Sequence, residues 1–301
     1  MDKILLIKTG AAGDVVRTTT LLNSLPGQIT WVVDKRYRGL LPAEHSRLAQ
    51  VVNVNDAFAE LSGMAFDWII SLEEDLACAQ LASFFNTKKL TGIYSEGETI
   101  SYTPDSACWF DMSLVSKKGK AAANELKMQN RQSFQELLFQ VAGLSFNGEP
   151  YCIYRNAAIQ PVDGVVAIET RAGARWPNKA WGGYTALTSL LEKEGYRVKL
   201  LAQQKNLTDY LDDIAGCSFL ISGDTLAMHI ALAYKIPSIA IFNCTSVTEI
   251  YDYGTLQKIE SPLLMQSFYS REFSAEVINS ITPETVHAAF AQYQLTVKRL
   301  V

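Results

Sequence analysis

Several features that mark whole classes of protein are absent from this sequence. No apolar run is long enough to span a bilayer, and Met1-Asp2-Lys3 leads into the first apolar segment without a signal-peptide pattern. The five cysteines are odd in number, widely scattered and form no C-x-x-C pair. These absences predict a cytoplasmic protein with reduced, mostly buried thiols.

An excess of positive charge is also absent. The chain has 27 Lys and Arg against 31 Asp and Glu, a formal net charge of -4 at pH 7, so no broad cationic field for nucleic acid is expected. No metal-ligand spacing stands out, and the paired carboxylates in Glu73–Asp75 and Asp212–Asp213 are expected on solvated faces. We therefore expect no nucleic-acid partner, no metal and no cofactor.

What the sequence does contain is a regular alternation of apolar strands and amphipathic helices. At 301 residues, 48% hydrophobic and 19% charged, it can form two domains of about 150 residues each. The alternation predicts an α/β protein with parallel sheets. Strands are predicted at Ile4–Ile7, Ile29–Val33, Val51–Val54, Trp68–Leu72, Lys89–Ile93, Val165–Ile168, Val198–Leu201, Phe219–Ser222 and, as the last, Ser238–Phe242.

The helices and connections complete this prediction. A long loop is expected over Tyr94–Ala123 and a linker over Asn147–Pro161, so that one domain covers residues 1–155 and a second covers 162–282, with a closing helix in 283–301. Helices are predicted at Asp14–Ser24, Tyr37–Ala49, Leu76–Asn86, Glu125–Gly143, Trp181–Glu194, Leu207–Ala215, after Asp224 and at Pro283–Tyr293.

The turn after the first strand, Lys8–Asp14, carries the first candidate site. It lacks the Gly-Lys-Ser/Thr of a phosphate-binding P-loop and has only two of the three glycines of the dinucleotide fingerprint, Gly10 and Gly13. Asp34, after the second strand, lies where a ribose-binding acid would lie. An NAD(P)-dependent oxidoreductase is therefore one alternative.

Asp14 fits a different chemistry. A carboxylate at a helix entrance would repel a pyrophosphate, whereas it suits a general base that deprotonates a hydroxyl. The structural alternative is a favourable first-turn aspartate with no chemical role.

The segment Asp224–Pro237 carries the second candidate site. A buried strand ends there in an abrupt turn and a short helix, and Asp224 and Thr225 are placed where they can cap that helix. Its free N–H groups suit a phosphate. The alternative is that both residues are only caps and that His229 is an ordinary packed histidine.

The segments together resemble glycosyltransferase family 9, the ADP-heptose:lipopolysaccharide heptosyltransferases. The opening ILLIKTGAAGDVVRTTTLLNSL is similar to that family's strand, Gly-Asp turn and helix, and SGDTLAMHIALAYKIPSIAIFNCTS to its Asp-Thr-Gly-Pro-Met-His donor signature. GARWPNKAW resembles its segment with a Lys two residues before a Trp. The resemblance implies a GT-B fold, in which two Rossmann-like domains face each other across a cleft.

The resemblance also implies roles for single residues. Asp14 would be the catalytic base, with Gly10 and Gly13 in the acceptor-side loop, and Lys179 would meet the donor diphosphate. Arg171 and Arg175 are weaker candidates for the same electrostatic task. The implied donor-binding residues are Thr170, Arg175, Asp224, Thr225, Leu226, Met228 and His229.

The implied activity is metal-independent, inverting transfer of a sugar, with ADP-heptose as one candidate donor and a lipopolysaccharide-core or other glycan or glycolipid as acceptor. Membrane contact would be at most peripheral, at the inner membrane. Three residues depart from the family pattern: Leu226-Ala227 replace its Gly-Pro, and Asn243 stands where its Phe-Gly-x-Thr pattern gives Gly. A further alternative is therefore a non-catalytic sugar-nucleotide-binding member.

Overall fold

A computed structural model describes residues 1–298 of the chain, so 299–301 of the predicted closing segment lie outside the described residues. The chain divides into two compact units, Met1–Tyr154 and Arg155–Val301. Within residues 1–298 no helix is both long and apolar enough to cross a membrane.

The first unit is built on a six-stranded sheet with the order β3-β2-β1-β4-β5-β6. Neighbouring strands are parallel except β5 and β6, which form an antiparallel pair. The register pairs Ile7 with Val32 and with Ser71, so the residues that follow β1, β2 and β4 emerge at one edge. The strands are β1 (Lys3–Ile7), β2 (Gln28–Val33), β3 (Leu48–Asn53), β4 (Phe66–Ser71), β5 (Thr87–Glu96) and β6 (Thr99–Tyr102).

Six α-helices accompany this sheet among the described residues. Buried side chains of α3 join those of β1, β4 and β5 in one apolar core. The helices are α1 (Ala12–Thr18), α2 (Ala57–Glu60), α3 (Leu76–Phe84), α4 (Ala107–Phe110), α5 (Lys120–Gln129) and α6 (Phe134–Val141), with 3-10 helices at Thr19–Asn23, Lys35–Leu40 and Pro104–Ser106.

The second unit is built on a five-stranded, wholly parallel sheet with the order β11-β10-β9-β7-β8. Its strands are β7 (Val162–Ile168), β8 (Arg197–Leu200), β9 (Cys217–Gly223), β10 (Ser238–Phe242) and β11 (Leu256–Glu260). Its helices are α7 (Tyr184–Lys193), α8 (Leu207–Ala215), α9 (Leu226–Tyr234), α10 (Ala275–Ile278) and α11 (Pro283–Lys298), with 3-10 helices at Pro177–Lys179 and Leu264–Gln266.

Four sequence predictions are wrong in the elements they assign. The helix over Tyr37–Ala49 is a 3-10 helix that ends at Leu40, because Pro42 favours the extended conformation of Leu41 before it, and β3 begins at Leu48. The loop over Tyr94–Ala123 contains β6 and α4. The helix over Glu125–Gly143 is two helices, since Ser133 and Glu136 form a capping box that starts α6. Ser238–Phe242 is followed by a further strand, β11.

Gly92 provides a stability prediction for the first sheet. Its φ is +101°, and a Cβ there would lie 1.9 Å from the carbonyl oxygen of Ser71 on the neighbouring strand. Gly97, in the turn after β5, has φ +66° but open space around it. We expect Gly92→Ala to lower the free energy of unfolding by about 3 kcal/mol or more and Gly97→Ala by only about 1 kcal/mol. Urea denaturation measures both, and equal losses would contradict the clash.

Candidate functional site

The turn that follows β1 contains a buried ion-pair network. The Lys8 ammonium lies 3.2 Å from Glu73 Oε1 and 3.9 Å from Asp14 Oδ2, and it donates to the carbonyl of Leu72 at 3.5 Å. Lys8 is itself buried. Because a buried cation needs partners, Lys8 ties the turn of β1 to the end of the adjacent strand β4.

Glu73 holds the backbone of this turn. Its Oε1 accepts hydrogen bonds from the N–H groups of Thr9 and of Gly10, the second at 3.0 Å. The expectation of a solvated face is wrong for Glu73, whose side chain is only 13% exposed, whereas Asp75 is exposed and caps α3 through the N–H of Cys78. A Cβ at Gly10 would lie 3.0 Å from the ring of the half-buried Tyr37, so a side chain at this position requires that ring to shift by a few tenths of an ångström.

Asp14 lies in the first turn of α1, where the helix begins two residues earlier than predicted. Its side chain keeps 33% of its area exposed, which leaves it accessible to a reactant. Arg17, one turn later, forms an ion pair with Asp14 Oδ1, and the Arg17 guanidinium lies 3.8 Å from the centroid of the Phe134 ring. Asp14 is thus held between two cations, which the sequence motif alone did not indicate.

Asp34, the residue that suggested a ribose-binding acid, is engaged locally. It caps the 3-10 helix Lys35–Leu40 and accepts from the backbone N–H of Arg36 at 2.8 Å and from its guanidinium at 3.0 and 2.7 Å. These hydrogen bonds from the Arg36 side chain and backbone hold the pKa of Asp34 below its usual value. A ribose would have to displace them.

In the second unit, the connection from β9 to α9 carries the clearest site. Lys179 Nζ lies 2.7 Å from Asp224 Oδ2 and donates to the Asp224 carbonyl at 3.0 Å. His229 Nε2 lies 4.0 Å from Asp224 Oδ1. The structure therefore brings Lys179, Asp224 and His229 together at the entrance of α9. Two of the three ammonium donors of Lys179 have partners among the described residues, so one donor remains for a ligand.

The side-chain cap of α9 predicted for Thr225 is absent among the described residues. Thr225 is the N-cap residue by backbone position, but its side chain makes no cap hydrogen bond. Its Oγ1 is buried and no described group hydrogen-bonds to it. The Asp224 carboxylate is paired with Lys179. The first backbone N–H groups of a helix have no partner within the helix, and such groups suit an anion.

The other predicted donor-binding residues are dispersed. Thr170 and Arg175 are exposed after β7, and the Arg175 guanidinium lies 5.3 Å from the centroid of the Trp176 ring. Leu226 is half-buried at the first turn of α9. Met228 is 0% exposed and is a core residue in this structure.

Arg171 is held by a buried acid that sequence reasoning missed. Glu169, at the end of β7, accepts from the Arg171 backbone N–H at 2.8 Å and from its guanidinium at 2.9 and 2.6 Å. Tyr210 donates to Glu169 at 2.5 Å, and burial together with the Glu169 charge raises the pKa of Tyr210. The sequence signal that could have identified Glu169 was the position of an acid directly after an apolar strand. Arg171 is consequently anchored at the carboxyl edge of the second sheet.

Asn243, the residue that follows β10, is held by hydrogen bonds to two other segments. Asn243 is buried, donates through Nδ2 to the Ala180 carbonyl at 2.7 Å and accepts at its own carbonyl from Ser267 Oγ at 2.7 Å. Burial raises the pKa of the neighbouring Cys244 thiol to about 11, so Cys244 is a protonated thiol at neutral pH.

Asp213, which was predicted on a solvated face, forms an ion pair with Lys199 at 2.7 Å.

Comparisons with known proteins bear on the second site directly. The profile described as glycosyltransferase family 9 (heptosyltransferase) matches residues 201–266, a range that contains α8, β9, Asp224, α9 and β10. Among curated proteins no match is found.

Solved structures resemble the whole chain. Escherichia coli heptosyltransferase WaaC with ADP has a TM-score of 0.64 at 18% identity, covering 96% of this chain and 99% of the other. E. coli ADP-heptose lipopolysaccharide heptosyltransferase II gives 0.65 at 15%, covering 98% and 99%. A family 9 glycosyltransferase from Veillonella parvula gives 0.63 at 14%, covering 98% and 97%.

These findings agree with the resemblance read from the motifs. Identities of 14% to 18% establish the fold, and the profile match establishes the family resemblance of residues 201–266. The predicted fold class, α/β with two Rossmann-like domains of the GT-B type, is confirmed.

Proposed function

We propose, from the premise that this chain is a glycosyltransferase that resembles family 9, that it transfers a sugar from an ADP-sugar to a glycan or glycolipid. Heptose is the favoured sugar, because two of the structures that share the fold are named as heptosyltransferases and one of them holds ADP. A lipopolysaccharide-core glycan is the favoured acceptor. Membrane contact is limited to the peripheral contact that a glycolipid acceptor brings.

One observation carries this proposal: the ammonium of Lys179 lies against Asp224 at the entrance of α9, and Asp224 lies within the family match. A departing nucleoside diphosphate gains negative charge as its bond to the sugar breaks. A fixed cation and the free N–H groups of a helix stabilise that charge. Because this pair of elements supplies the neutralisation, the proposed reaction requires no divalent cation.

Asp14 is the proposed base. The acceptor hydroxyl oxygen forms a bond to the anomeric carbon of the donor, the bond from that carbon to the diphosphate oxygen breaks, and Asp14 takes the hydroxyl proton. Attack on the face opposite the leaving diphosphate inverts the anomeric centre. Lys8 and Arg17 hold the carboxylate on both sides, and Glu73 fixes the backbone of the preceding turn.

A thermal-shift panel tests the donor class. ADP, GDP, UDP, dTDP, NAD and NADP are added separately at equal concentration, with and without EDTA. A ligand that binds only the native state raises its melting temperature, so we expect the largest shift with ADP and the same shift in EDTA. A shift confined to NAD or NADP would support the oxidoreductase alternative instead. ADP binding without ADP release from ADP-heptose on any acceptor would identify a non-catalytic binding protein.

Thr225→Val gives a prediction that separates ligand binding from stability. Removing a buried hydroxyl that has no described partner should leave the melting temperature unchanged or raise it. If ADP satisfies that hydroxyl, the same change should weaken ADP binding by about 1.5–3 kcal/mol. Calorimetry and thermal melting measure the two quantities. Unchanged ADP affinity would show that Thr225 does not contact the diphosphate.

A further inference from the structure

Lys179 lies in a short backbone turn that has too few hydrogen bonds of its own to fix its position. The 3-10 helix Pro177–Lys179 has three residues, and its hydrogen bonds run only from the N–H of Lys179 to Trp176 and from the N–H of Ala180 to Pro177. A single 3-10 turn has poor hydrogen-bond geometry and is too short for its hydrogen bonds to stabilise one another cooperatively. The position of the Lys179 backbone must therefore be set by contacts outside the turn.

The first such contact comes from the residue immediately before Lys179. Asn178 is buried; its Nδ2 donates to the carbonyl of Glu272 at 2.8 Å, and its Oδ1 accepts from the N–H of Ser274 at 2.8 Å. This two-sided bond uses one amide donor and the amide acceptor, and it binds the turn to the segment that precedes α10. The amino side of Lys179 is thereby fixed.

The second contact comes from the residue immediately after Lys179. Asn243, 1% exposed at the end of β10, donates from Nδ2 to the carbonyl of Ala180 at 2.7 Å. Its Oδ1 is buried and has no hydrogen-bond partner among the described residues. A buried amide oxygen that has no hydrogen-bond partner destabilises the folded state, so the side chain contributes little net stability. The bond to Ala180 is the one gain that this side chain makes through its amide.

We propose that Asn178 and Asn243 are positioning residues that clamp the backbone on either side of Lys179 and so hold its ammonium at the α9 entrance. This inference rests on the proposed role of Lys179 in donor binding. The proposed clamp also explains why Asn stands at position 243, where the resembled family pattern has Gly. Without the Asn243 amide, the Ala180 carbonyl would lose this hydrogen-bond donor, and the Lys179 turn would lose the bond that attaches it to the end of β10.

The test compares Asn243→Ala with the parent protein, using ADP as the probe. We expect ADP to bind about 3- to 10-fold more weakly, as for the loss of one hydrogen bond, while the melting temperature changes by no more than about 3 °C. Asn206→Ala is the matched control, because Asn206 Nδ2 also makes one bond, to Asp209 at 3.0 Å, in the same unit. It should leave ADP affinity unchanged.

A double-mutant cycle shows whether Asn243 acts through Lys179. In the Lys179→Ala background, Asn243→Ala should have no further effect on ADP affinity, since the group that it positions is gone. An equal effect in both backgrounds would overturn the inference. If Lys179→Ala alone leaves ADP affinity unchanged, the proposed function fails instead, so the two failures are distinguishable.

Asn243→Asp tests the hydrogen bond to Ala180 through its dependence on pH, without the loss of side-chain volume that Asn243→Ala causes. A carboxylate facing the Ala180 carbonyl cannot donate, whereas a protonated carboxyl can. Burial raises the pKa of such a carboxyl, so the ADP affinity of the variant, relative to the parent at each pH, should recover as pH falls from 8 towards 5. A ratio that stays constant over this range would contradict the clamp.

Discussion

Asp14→Asn is expected to lower the rate of sugar transfer by about 10²- to 10⁴-fold, the usual contribution of a general base. Asparagine has the size of aspartate but cannot take a proton, so folding and ADP affinity should be nearly those of the parent. ADP release from ADP-heptose, measured with a heptose-free lipopolysaccharide precursor as acceptor, gives the rate. Calorimetry gives the affinity for ADP.

The surroundings of Asp14 make a control necessary. The substitution also weakens the ion pairs with Arg17 and Lys8, and it thereby changes the local charge. Asp67→Asn is the matched control, since Asp67 pairs with Lys88 at 2.8 Å near the start of β4 in the same unit. It should leave the transfer rate unchanged. Near-normal turnover by Asp14→Asn would rule out Asp14 as the base.

The order of the elements was largely predictable from the sequence, and the reason is local. Leu207–Ala215 and Ser238–Phe242 have the bounds that their patterns predicted. In each case a residue that breaks the pattern bounds the element: Gly216 follows α8, and Pro237 precedes β10. Such signals lie within a few residues of the element that they define.

The errors arise where the local signal was weak or where a second signal interrupted the first. β11 has the sequence LQKIE, with partly exposed residues at its centre, so neither an apolar run nor a clean alternation marked it. The break between α5 and α6 depends on a capping box whose two residues look like ordinary members of a helical pattern. The boundary between α5 and α6 was therefore set by side-chain hydrogen bonds, which the helical pattern does not show.

The candidate sites were predictable in part for the same reason. Asp224 directly follows β9, and Asp14 lies in the first turn of the helix that follows β1, where residue type and position indicate chemistry. The contacts that organise the two sites join distant positions: Lys8 binds Glu73 from 65 positions away, and Asn243 binds Ala180 from 63 positions away. Only the pairing of strands and the packing of loops bring such partners together, and no pattern along the chain encodes that.

Lys179→Ala is expected to weaken ADP binding by about 10- to 100-fold and to lower the transfer rate as well. The cation would contact charge that is present in the bound diphosphate and increases in the transition state, so both quantities depend on it. Part of the loss has a second cause. Without Lys179, the Asp224 carboxylate at the α9 entrance loses the cation that lies 2.7 Å from it, and its negative charge opposes the diphosphate more strongly.

Two further variants separate these causes and control for the loss of an ion pair. Lys179→Ala combined with Asp224→Asn removes the repelling charge, so ADP affinity should recover in part while remaining below that of the parent. Lys199→Ala breaks the 2.7 Å pair between Lys199 on β8 and Asp213 of α8, in the same unit, and should not change ADP affinity. Because the helix and Lys179 are proposed to bind the diphosphate without a metal, all these affinities should be the same in EDTA. Unchanged ADP affinity in Lys179→Ala would exclude Lys179 from the donor site, and strict dependence on added Mg²⁺ would assign the neutralisation of the diphosphate to a cation.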